Sequence, residues 1–210
     1  MALPRIWLIT MPEAPGGPIP AIAEALASSP AGVTGVQLRA PAANDAQLVA
    51  WGRELRELTR RTGAPFVVNR RPDVAAIVEA DGVHLPEAGI SARTIASHWP
   101  SLELLGASRH GRDGLLDACQ QGASFAFDSP IFAVPGKGSP LGIEGFKRQI
   151  AGVCLPTYAL GGIRPEHVEA LLRSGAAGVA VRRAIYDGDE PGQVLQRFTD
   201  ALDKGAGTEG

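Results

Sequence analysis

The stretch PFVVNRRPDVAAIVEADGVHL, residues 65–85, contains the unit that predicts the fold of the whole chain. The apolar run at 66–68 is typical of a buried strand, and the segment that starts at Pro72 has the apolar spacing of a helix. A second apolar run follows at 82–85, and two strands joined by a helix lie parallel in one sheet. Asn69, Arg70 and Arg71 stand where the first strand ends, so a polar and positively charged group is predicted there.

The same alternation continues in both directions and gives eight strand and helix pairs. In order they are RIWLIT with PAIAEALASS, GVQLR with AQLVAWGRELRELTRRTG, PFVVN with PDVAAIVEA, DGVHL with SARTIASHW, LELLGAS with GLLDACQQG, SFAFDS with GIEGFKRQIAG, PTYALGG with PEHVEALLRSG, and AGVAV with PGQVLQRFTDALDKG. Pro72 and Pro165 suit a first helical turn, and Gly63 and Gly175 suit a left-handed helix end. Strands without polar alternation are buried on both faces.

Eight such units predict an α/β fold of the TIM (β/α)8 barrel type. A doubly wound open sheet is the alternative architecture. We expect one domain over residues 1–204 and a flexible tail of small and polar residues at 205–210.

Composition limits the classes of function. Hydrophobic residues make up 45% and charged residues 20% of the chain, which is typical of a folded globular protein. The formal net charge is −2 and no basic tract occurs, so neither a nucleic acid nor an anionic membrane surface is an expected partner. The opening residues lack the pattern of a signal peptide, and the apolar runs are short, so a cytoplasmic location is expected.

The two cysteines, Cys119 and Cys154, lack CxxC spacing and metal-type histidine neighbours. We therefore expect buried free thiols, with neither a disulfide framework nor a zinc site.

Functional side chains of such barrels lie where strands end, because the following loops share one mouth. The residues at these positions are Thr10, Gln37, Arg39, Asn69, Arg70, His84, Ser108, His110, Ser129, Lys137, Gly161, Gly162, Arg182 and Arg183. The long loop at 128–142 has the length of a lid that could bring Lys137 over an anionic substrate, although a solvated surface lysine is the alternative.

Two loops near the C-terminus predict a phosphate site. Gly161 and Gly162 expose backbone amides before a helix, a position where anions are stabilised, although an ordinary tight turn is the alternative. Arg182 and Arg183 follow the eighth predicted strand, and the loops after strands 7 and 8 of these barrels often hold phosphate.

The four histidines differ in setting. His84 follows apolar residues, so we expect it to be buried with a satisfied ring nitrogen. His110 follows GASR and is expected to be exposed and able to transfer protons near neutral pH. His98 and His167 fall within helical stretches and are expected at the surface.

Five segments, in order along the chain, resemble motifs of the thiamine phosphate synthase and TenI superfamily. They are GVQLRA, VVNRRPDVAAIVEADGVHL, GASRHG, SPIFAVPGKGSPLG and YALGGIRPEHVEALLRSGAAGVAVRRAIY. In that family the synthase joins an aminopyrimidine diphosphate to a thiazole phosphate, with Mg²⁺ neutralising the departing pyrophosphate. The resemblance implies a small phosphorylated thiazole or pyrimidine ligand. It also implies binding or catalytic roles for Arg39, Asn69, Ser108, His110, Lys137, Gly161 and Gly162.

Departures from the family pattern affect the metal. Arg70 and Gly89 stand where the synthases carry the two metal-binding carboxylates, and Glu87 is the only nearby substitute, whereas Arg71 matches the pattern. Because Mg²⁺ favours oxygen ligands, no cofactor is expected unless synthase activity is retained. Further departures occur at Pro41, Val134 and Gly136.

The LPEAGIS segment resembles TenI-type proteins, which include a metal-independent thiazole phosphate isomerase. Their catalytic histidine corresponds to Pro130 here, so proton transfer would fall to His110, to His84 or to another group. Three hypotheses remain: a TenI-like isomerase, a synthase in which Arg70 and Arg71 replace the metal, and a non-catalytic phosphate-binding or regulatory paralogue.

The site predicted for the first hypothesis has two parts, and a homodimer is left open. The catalytic group is His110, Ser108 and Lys137. The substrate-binding and phosphate-binding group is Gln37, Arg39, Asn69, Arg70, Gly161, Gly162, Arg182 and Arg183.

Overall fold

The computed structural model of the protein describes residues 2–187 and 190–206. Within these residues the strands are β1 Ile6–Ile9, β2 Thr34–Leu38, β3 Phe66–Asn69, β4 Gly82–Leu85, β5 Leu104–Arg109, β6 Phe125–Asp128, β7 Thr157–Leu160 and β8 Gly178–Val181. The helices are α1 Ile19–Ala27, α2 Asp45–Thr62, α3 Pro72–Ile77, α4 Ala92–His98, α5 Arg112–Gln120, α6 Gly142–Ile150, α7 Pro165–Arg173, α8 Arg183–Tyr186 and α9 Pro191–Ala206.

The strands pair in sequence order and close into a barrel, which confirms the predicted TIM fold. All neighbours are parallel, and β8 returns to β1 with Val179 opposite Ile6. This last pairing excludes the open-sheet alternative, because an open sheet has two edge strands with one neighbour each, whereas every strand here has two. All eight strand ends therefore face one mouth.

The barrel interior is filled by aromatic side chains. Trp7 stacks on Phe125 with ring centroids 4.8 Å apart, and Tyr158 meets both rings edge-on. The Tyr158 hydroxyl donates to the Pro4 carbonyl at 2.5 Å, which satisfies the polar end of this buried ring. Because side chains fill the interior, ligand chemistry is restricted to the mouth.

Helix boundaries largely follow the predicted signals. Pro72 and Pro165 begin α3 and α7, Gly63 ends α2 at a φ of 68°, and Gly175 follows α7 at a φ of 100°. The short helix α8 directly after β8 was not predicted, since four residues carry no readable periodicity. Helix α9 continues to Ala206 and so includes the first two residues of the predicted tail, while 207–210 lie outside the described residues.

The expectation of free thiols is wrong, because Cys119 and Cys154 form a disulfide with their Cα atoms 6.7 Å apart. Cys119 lies on α5 and Cys154 just before β7, and 35 positions separate them in sequence. Their proximity arises only when β6 and β7 pair, so local spacing carried no sign of it. The bond ties α5 to the segment that leads into β7.

No helix in the described part of the chain combines the length and the apolar character needed to cross a membrane.

Candidate functional site at the carboxyl ends of the strands

A cavity of about 470 Å³ opens at the carboxyl ends of the strands, within the range of small-molecule sites. Its apolar floor is formed by Ile9, Phe127, Leu160 and Ala180. Ten of the eleven predicted site residues line it, namely Gln37, Arg39, Asn69, Ser108, His110, Lys137, Gly161, Gly162, Arg182 and Arg183. The eleventh, Arg70, is exposed beside Asn69 and is not part of the lining.

The Gly161–Gly162 turn is shaped by close backbone contacts. Gly161 has a φ of +100° and Gly162 a φ of +65°. A Cβ on Gly161 would lie 3.0 Å from the Pro130 Cα, and a Cβ on Gly162 would lie 2.8 Å from the Phe132 Cβ. Only glycine fits both requirements, so the turn can present bare backbone to the cavity.

Arg182 and Arg183 flank this turn on the neighbouring strand end. Arg182 donates from Nε to the Thr10 carbonyl at 3.4 Å and forms an ion pair with Glu13. Arg183 is exposed at the start of α8 and has no ion pair among the described residues. One guanidinium is therefore anchored and the other is available to an anion.

Arg39 lies on the opposite wall, half-buried, and has no ion pair among the described residues. Thr10 holds its backbone, accepting from the Arg39 N–H at 2.8 Å. Burial lowers the pKa of Arg39, the charges of Arg182 and Arg70 lower it further, and Glu13 opposes the shift. Because these cations repel one another, an anion bound between them would relieve the repulsion.

The two adjacent arginines of the NRRP motif have different environments. Arg71 donates to Asp45 at 2.6 Å and to Asp73 at 2.7 Å, and these bonds raise its pKa and lower that of Asp73. Arg70 has a φ of 68° and no side-chain partner within the described ranges. Arg71 therefore links α2 to α3, and only Arg70 is free to meet a ligand.

Gln37 and Asn69 form a polar pair beside Arg39. Gln37 is 2% exposed and donates from Nε2 to Asn69 Oδ1 at 3.0 Å. Its Oε1 is buried and has no hydrogen-bond partner in the described structure. A buried orphan acceptor is unfavourable, so a ligand donor at this point would be stabilising.

His110 stands directly after β5 and is exposed, as predicted. Its Nδ1 lies 2.6 Å from the Ser129 carbonyl, which can only accept, so Nδ1 carries the proton and Nε2 is the nitrogen free to exchange one. Glu87 accepts from the His110 backbone N–H at 3.1 Å, and its other oxygen lies 3.8 Å from Nε2. The sequence suggested Glu87 only as a metal substitute, and its contact with His110 depends on the pairing of β4 with β5.

His84 is buried, as predicted, but only one of its ring nitrogens is satisfied. Nε2 lies 2.9 Å from Ser108 Oγ, while Nδ1 has no partner in the described structure. Burial lowers the pKa of His84 to about 3, with smaller contributions from the charges of Arg109 and Arg39. Burial therefore favours the neutral form of the ring, and His84 does not line the cavity.

His167 lies on α7 and is half-buried. Its ring stacks on Phe132 with centroids 3.9 Å apart, and Nδ1 accepts from the Arg164 N–H at 3.2 Å. Phe132 belongs to the loop after β6, which the helical pattern around His167 could not reveal. His98 is exposed on α4, as predicted.

Asp128, at the end of β6, is fully buried behind the mouth. The Gln149 amide nitrogen, in the orientation that satisfies both groups, lies 2.5 Å from Asp128 Oδ2. Burial raises the pKa of the Asp128 carboxyl to about 6, against the opposing influence of His110 and the Ser129 N–H, and Glu87 adds to the rise.

This raised pKa predicts a pH-dependent stability. The folded state binds the Asp128 proton more tightly than the unfolded state, so the stabilisation is complete below about pH 4 and is lost as pH rises to about 6. We expect Asp128→Asn to remove this pH-dependent part of the free energy of unfolding, on the order of 1–3 kcal/mol. Urea unfolding of both proteins at several pH values in this window measures it, and parallel slopes would contradict the prediction.

The carboxylates do not form a magnesium site of the family type. Glu87 and Asp187 line the cavity, but they follow β4 and α8, on different walls. No cluster of three or more His, Cys, Asp or Glu side chains suited to a metal occurs among the described residues. Since Mg²⁺ needs several oxygen ligands in near-octahedral geometry, the residues present do not fit it.

A second depression, of about 650 Å³, lies at the opposite end of the barrel. There both Asp81 oxygens accept from Arg56 at 3.0 Å, and one also accepts from the Phe66 N–H at 2.7 Å. These polar groups hold β3 and β4 together, which is the structural role typical of this end of the barrel.

The closed barrel and its mouth, lined by arginines, a lysine and an exposed histidine, define a (β/α)8-barrel protein with a cationic cavity. The family described as thiamine monophosphate synthase matches residues 6–185. A putative thiamine-phosphate synthase of Geobacter sulfurreducens is 39% identical over 163 residues, 76% of each chain. The thiamine-phosphate synthase of Chloroflexus aurantiacus is 37% identical over 162 residues, 76% of this chain and 74% of the relative.

A solved structure agrees with these relatives. The thiamine phosphate pyrophosphorylase from Pyrococcus furiosus superposes with a TM-score of 0.87 at 26% identity, over 96% of each chain. The chain therefore belongs to the thiamine monophosphate synthase family, and the predicted resemblance and its assignment to thiamine biosynthesis are confirmed.

Proposed function

We propose that the protein binds a thiazole phosphate and catalyses its isomerisation by proton transfer, without a metal. The observation that carries the proposal is one cavity that has the Gly161–Gly162 turn and the exposed Arg183 at one end and His110 on another wall. The cavity volume of about 470 Å³ is large enough for a small phosphorylated ring such as a thiazole phosphate.

The phosphate end suits a single phosphate group. The glycine turn leaves backbone exposed ahead of α7, and Arg183 brings a positive charge without an ion pair among the described residues. Charge-assisted hydrogen bonds of this kind anchor a ligand and hold its ring in one orientation.

The proton-transfer end suits acid–base chemistry. With Nδ1 bonded to Ser129, the Nε2 of His110 can accept a proton from a ring carbon and return it elsewhere. Glu87 stabilises the positive charge that the His110 imidazole carries after it accepts the proton. Lys137, exposed on the loop after β6, lines the same cavity and would meet the ligand's negative charge.

The direct test uses purified full-length protein. Calorimetry measures binding of the aromatic thiazole phosphate, and NMR follows conversion of its non-aromatic tautomer. Binding with turnover supports the proposal, binding without turnover supports a non-catalytic phosphate-binding paralogue, and the absence of binding contradicts both.

Synthase activity is the second candidate, favoured by the names of the relatives and by the unpaired guanidinium groups of Arg39 and Arg70. These two arginines follow β2 and β3, which are neighbours in register, so their charges stand side by side. They would supply the counter-charge for a departing pyrophosphate. Incubation of both substrates with and without EDTA tests it, and no thiamine phosphate in either sample would rule it out.

A variant of Arg70 tests the counter-charge that the synthase candidate requires. Asparagine tolerates a positive φ, so Arg70→Asn removes the charge and keeps the backbone. We expect its affinity for inorganic pyrophosphate to fall by about 5- to 10-fold, since one charge-assisted contact is lost. Calorimetry measures the affinity.

Arg71→Gln is the matched comparison for Arg70. Because Arg71 is bonded to Asp45 and Asp73, its loss should lower stability and leave pyrophosphate affinity within about 2-fold. Equal effects of the two variants on affinity would count against a distinct role for Arg70.

A further inference from the structure

The contact between His84 and Ser108 lies behind one wall of the cavity. His84 is on β4 and is 0% exposed, whereas Ser108 is on β5 and lines the cavity. The two atoms in contact are His84 Nε2 and Ser108 Oγ, 2.9 Å apart. Ser108 therefore stands between a buried imidazole and the ligand space.

The surroundings of the His84 ring distinguish its two nitrogens. Phe127 stacks on the ring with centroids 4.4 Å apart, and Phe125 lies at 5.7 Å. A Cβ on Gly106 would lie 2.4 Å from Nδ1, so the backbone of β5 closes that side. Nδ1 has no hydrogen-bond partner in the described structure.

The neutral ring carries one N–H and one lone pair, and the surroundings decide which nitrogen holds the proton. A proton on Nδ1 would be an orphaned buried donor, which is rare and costs about 1–3 kcal/mol. A proton on Nε2 would instead be donated to Ser108 Oγ, leaving only a lone pair unpaired. The Nε2–H tautomer is therefore favoured.

This tautomer fixes the direction of the Ser108 hydroxyl. Since Oγ accepts from His84, its own hydrogen points elsewhere, and no other hydrogen bond to Oγ occurs among the described residues. The hydroxyl is left as a donor on the cavity wall. An acceptor on the ligand would satisfy it, whereas a ligand N–H would not.

We propose that His84 is a positioning residue that fixes Ser108 as a hydrogen-bond donor, so that the cavity selects an unprotonated ring nitrogen of its ligand. The direction of the Ser108 hydroxyl follows from its contact with His84 alone. The identity of the acceptor as a thiazole nitrogen rests on the proposed function.

The first test needs no variant of the buried histidine. Long-range proton–nitrogen NMR spectra of ¹⁵N-labelled wild-type protein should show the Nε2–H tautomer for His84, unchanged from about pH 5 to pH 8. The opposite tautomer is expected for His110, because its Nδ1 is bonded to Ser129. The chain has four histidines, so spectra of His98→Asn, His110→Asn and His167→Asn assign the His84 signal by elimination. An Nδ1–H tautomer at His84, or a ring that titrates in this range, would overturn the proposal.

The second test compares two ligands by calorimetry, the thiazole phosphate and its N-methylated thiazolium analogue, which has no acceptor at nitrogen. Wild type should prefer the unmethylated compound by about 5- to 10-fold, the worth of one hydrogen bond. In Ser108→Ala this preference should shrink to about 2-fold or less. An unchanged preference in the variant would contradict the assignment of the ring nitrogen.

The two tests also separate this inference from the proposed function. If neither compound binds, the thiazole ligand and the ring-nitrogen assignment both fail. The NMR result still decides whether Ser108 is a donor, because it requires no ligand.

Discussion

Replacement of Gly161 by alanine is expected to lower affinity for inorganic phosphate by at least about tenfold and to destabilise the fold by about 2–3 kcal/mol. Gly161 has a φ of +100°, which alanine rarely adopts, and the added Cβ would lie 3.0 Å from the Pro130 Cα and 3.1 Å from its Cβ. These contacts belong to a proline ring and its backbone, which cannot rotate away. The turn must therefore shift, and its amides shift with it. Calorimetry and urea unfolding measure the two effects.

Gly138→Ala provides a control for this experiment, because no atom lies within 4 Å of a Cβ at Gly138. Gly138 belongs to the same loop after β6 as Pro130. We expect both affinity and stability of this variant to remain close to wild type. If Gly161→Ala behaves like Gly138→Ala, the glycine turn is not an anion site of fixed geometry.

The barrel itself was predictable because its signals are local. Each strand is a short apolar run, and helix ends carry their own markers, such as Pro72, Pro165 and Gly63. Eight repeats of this pattern leave few architectures. The location of the mouth then follows from the parallel arrangement, and ten of the predicted residues do line one cavity.

The partners of those residues were not predictable, because they depend on contacts between distant segments. Arg70 and Arg71 are adjacent residues of the same type, and only the folded chain shows that Arg71 is hydrogen-bonded to Asp45, 26 positions away. The disulfide and the contact of Glu87 with His110 have the same origin. Chemistry at this mouth therefore depends on which charges remain unpaired after folding.

His110 is the residue whose replacement should affect turnover most. We expect His110→Asn to reduce the rate of thiazole phosphate isomerisation by about 10²–10³-fold, the usual contribution of a positioned acid–base group. The asparagine amide can still donate to the Ser129 carbonyl, as Nδ1 does now, but nothing replaces the proton-transferring Nε2. Affinity for the aromatic thiazole phosphate should stay within about 2-fold, because the phosphate is held on other walls.

His98→Asn, an exposed substitution on α4, is the control and should leave the rate unchanged. NMR of the tautomer conversion measures the rates. If His110→Asn is as fast as the control, His110 is not the proton-transfer group and another group of the cavity has that role.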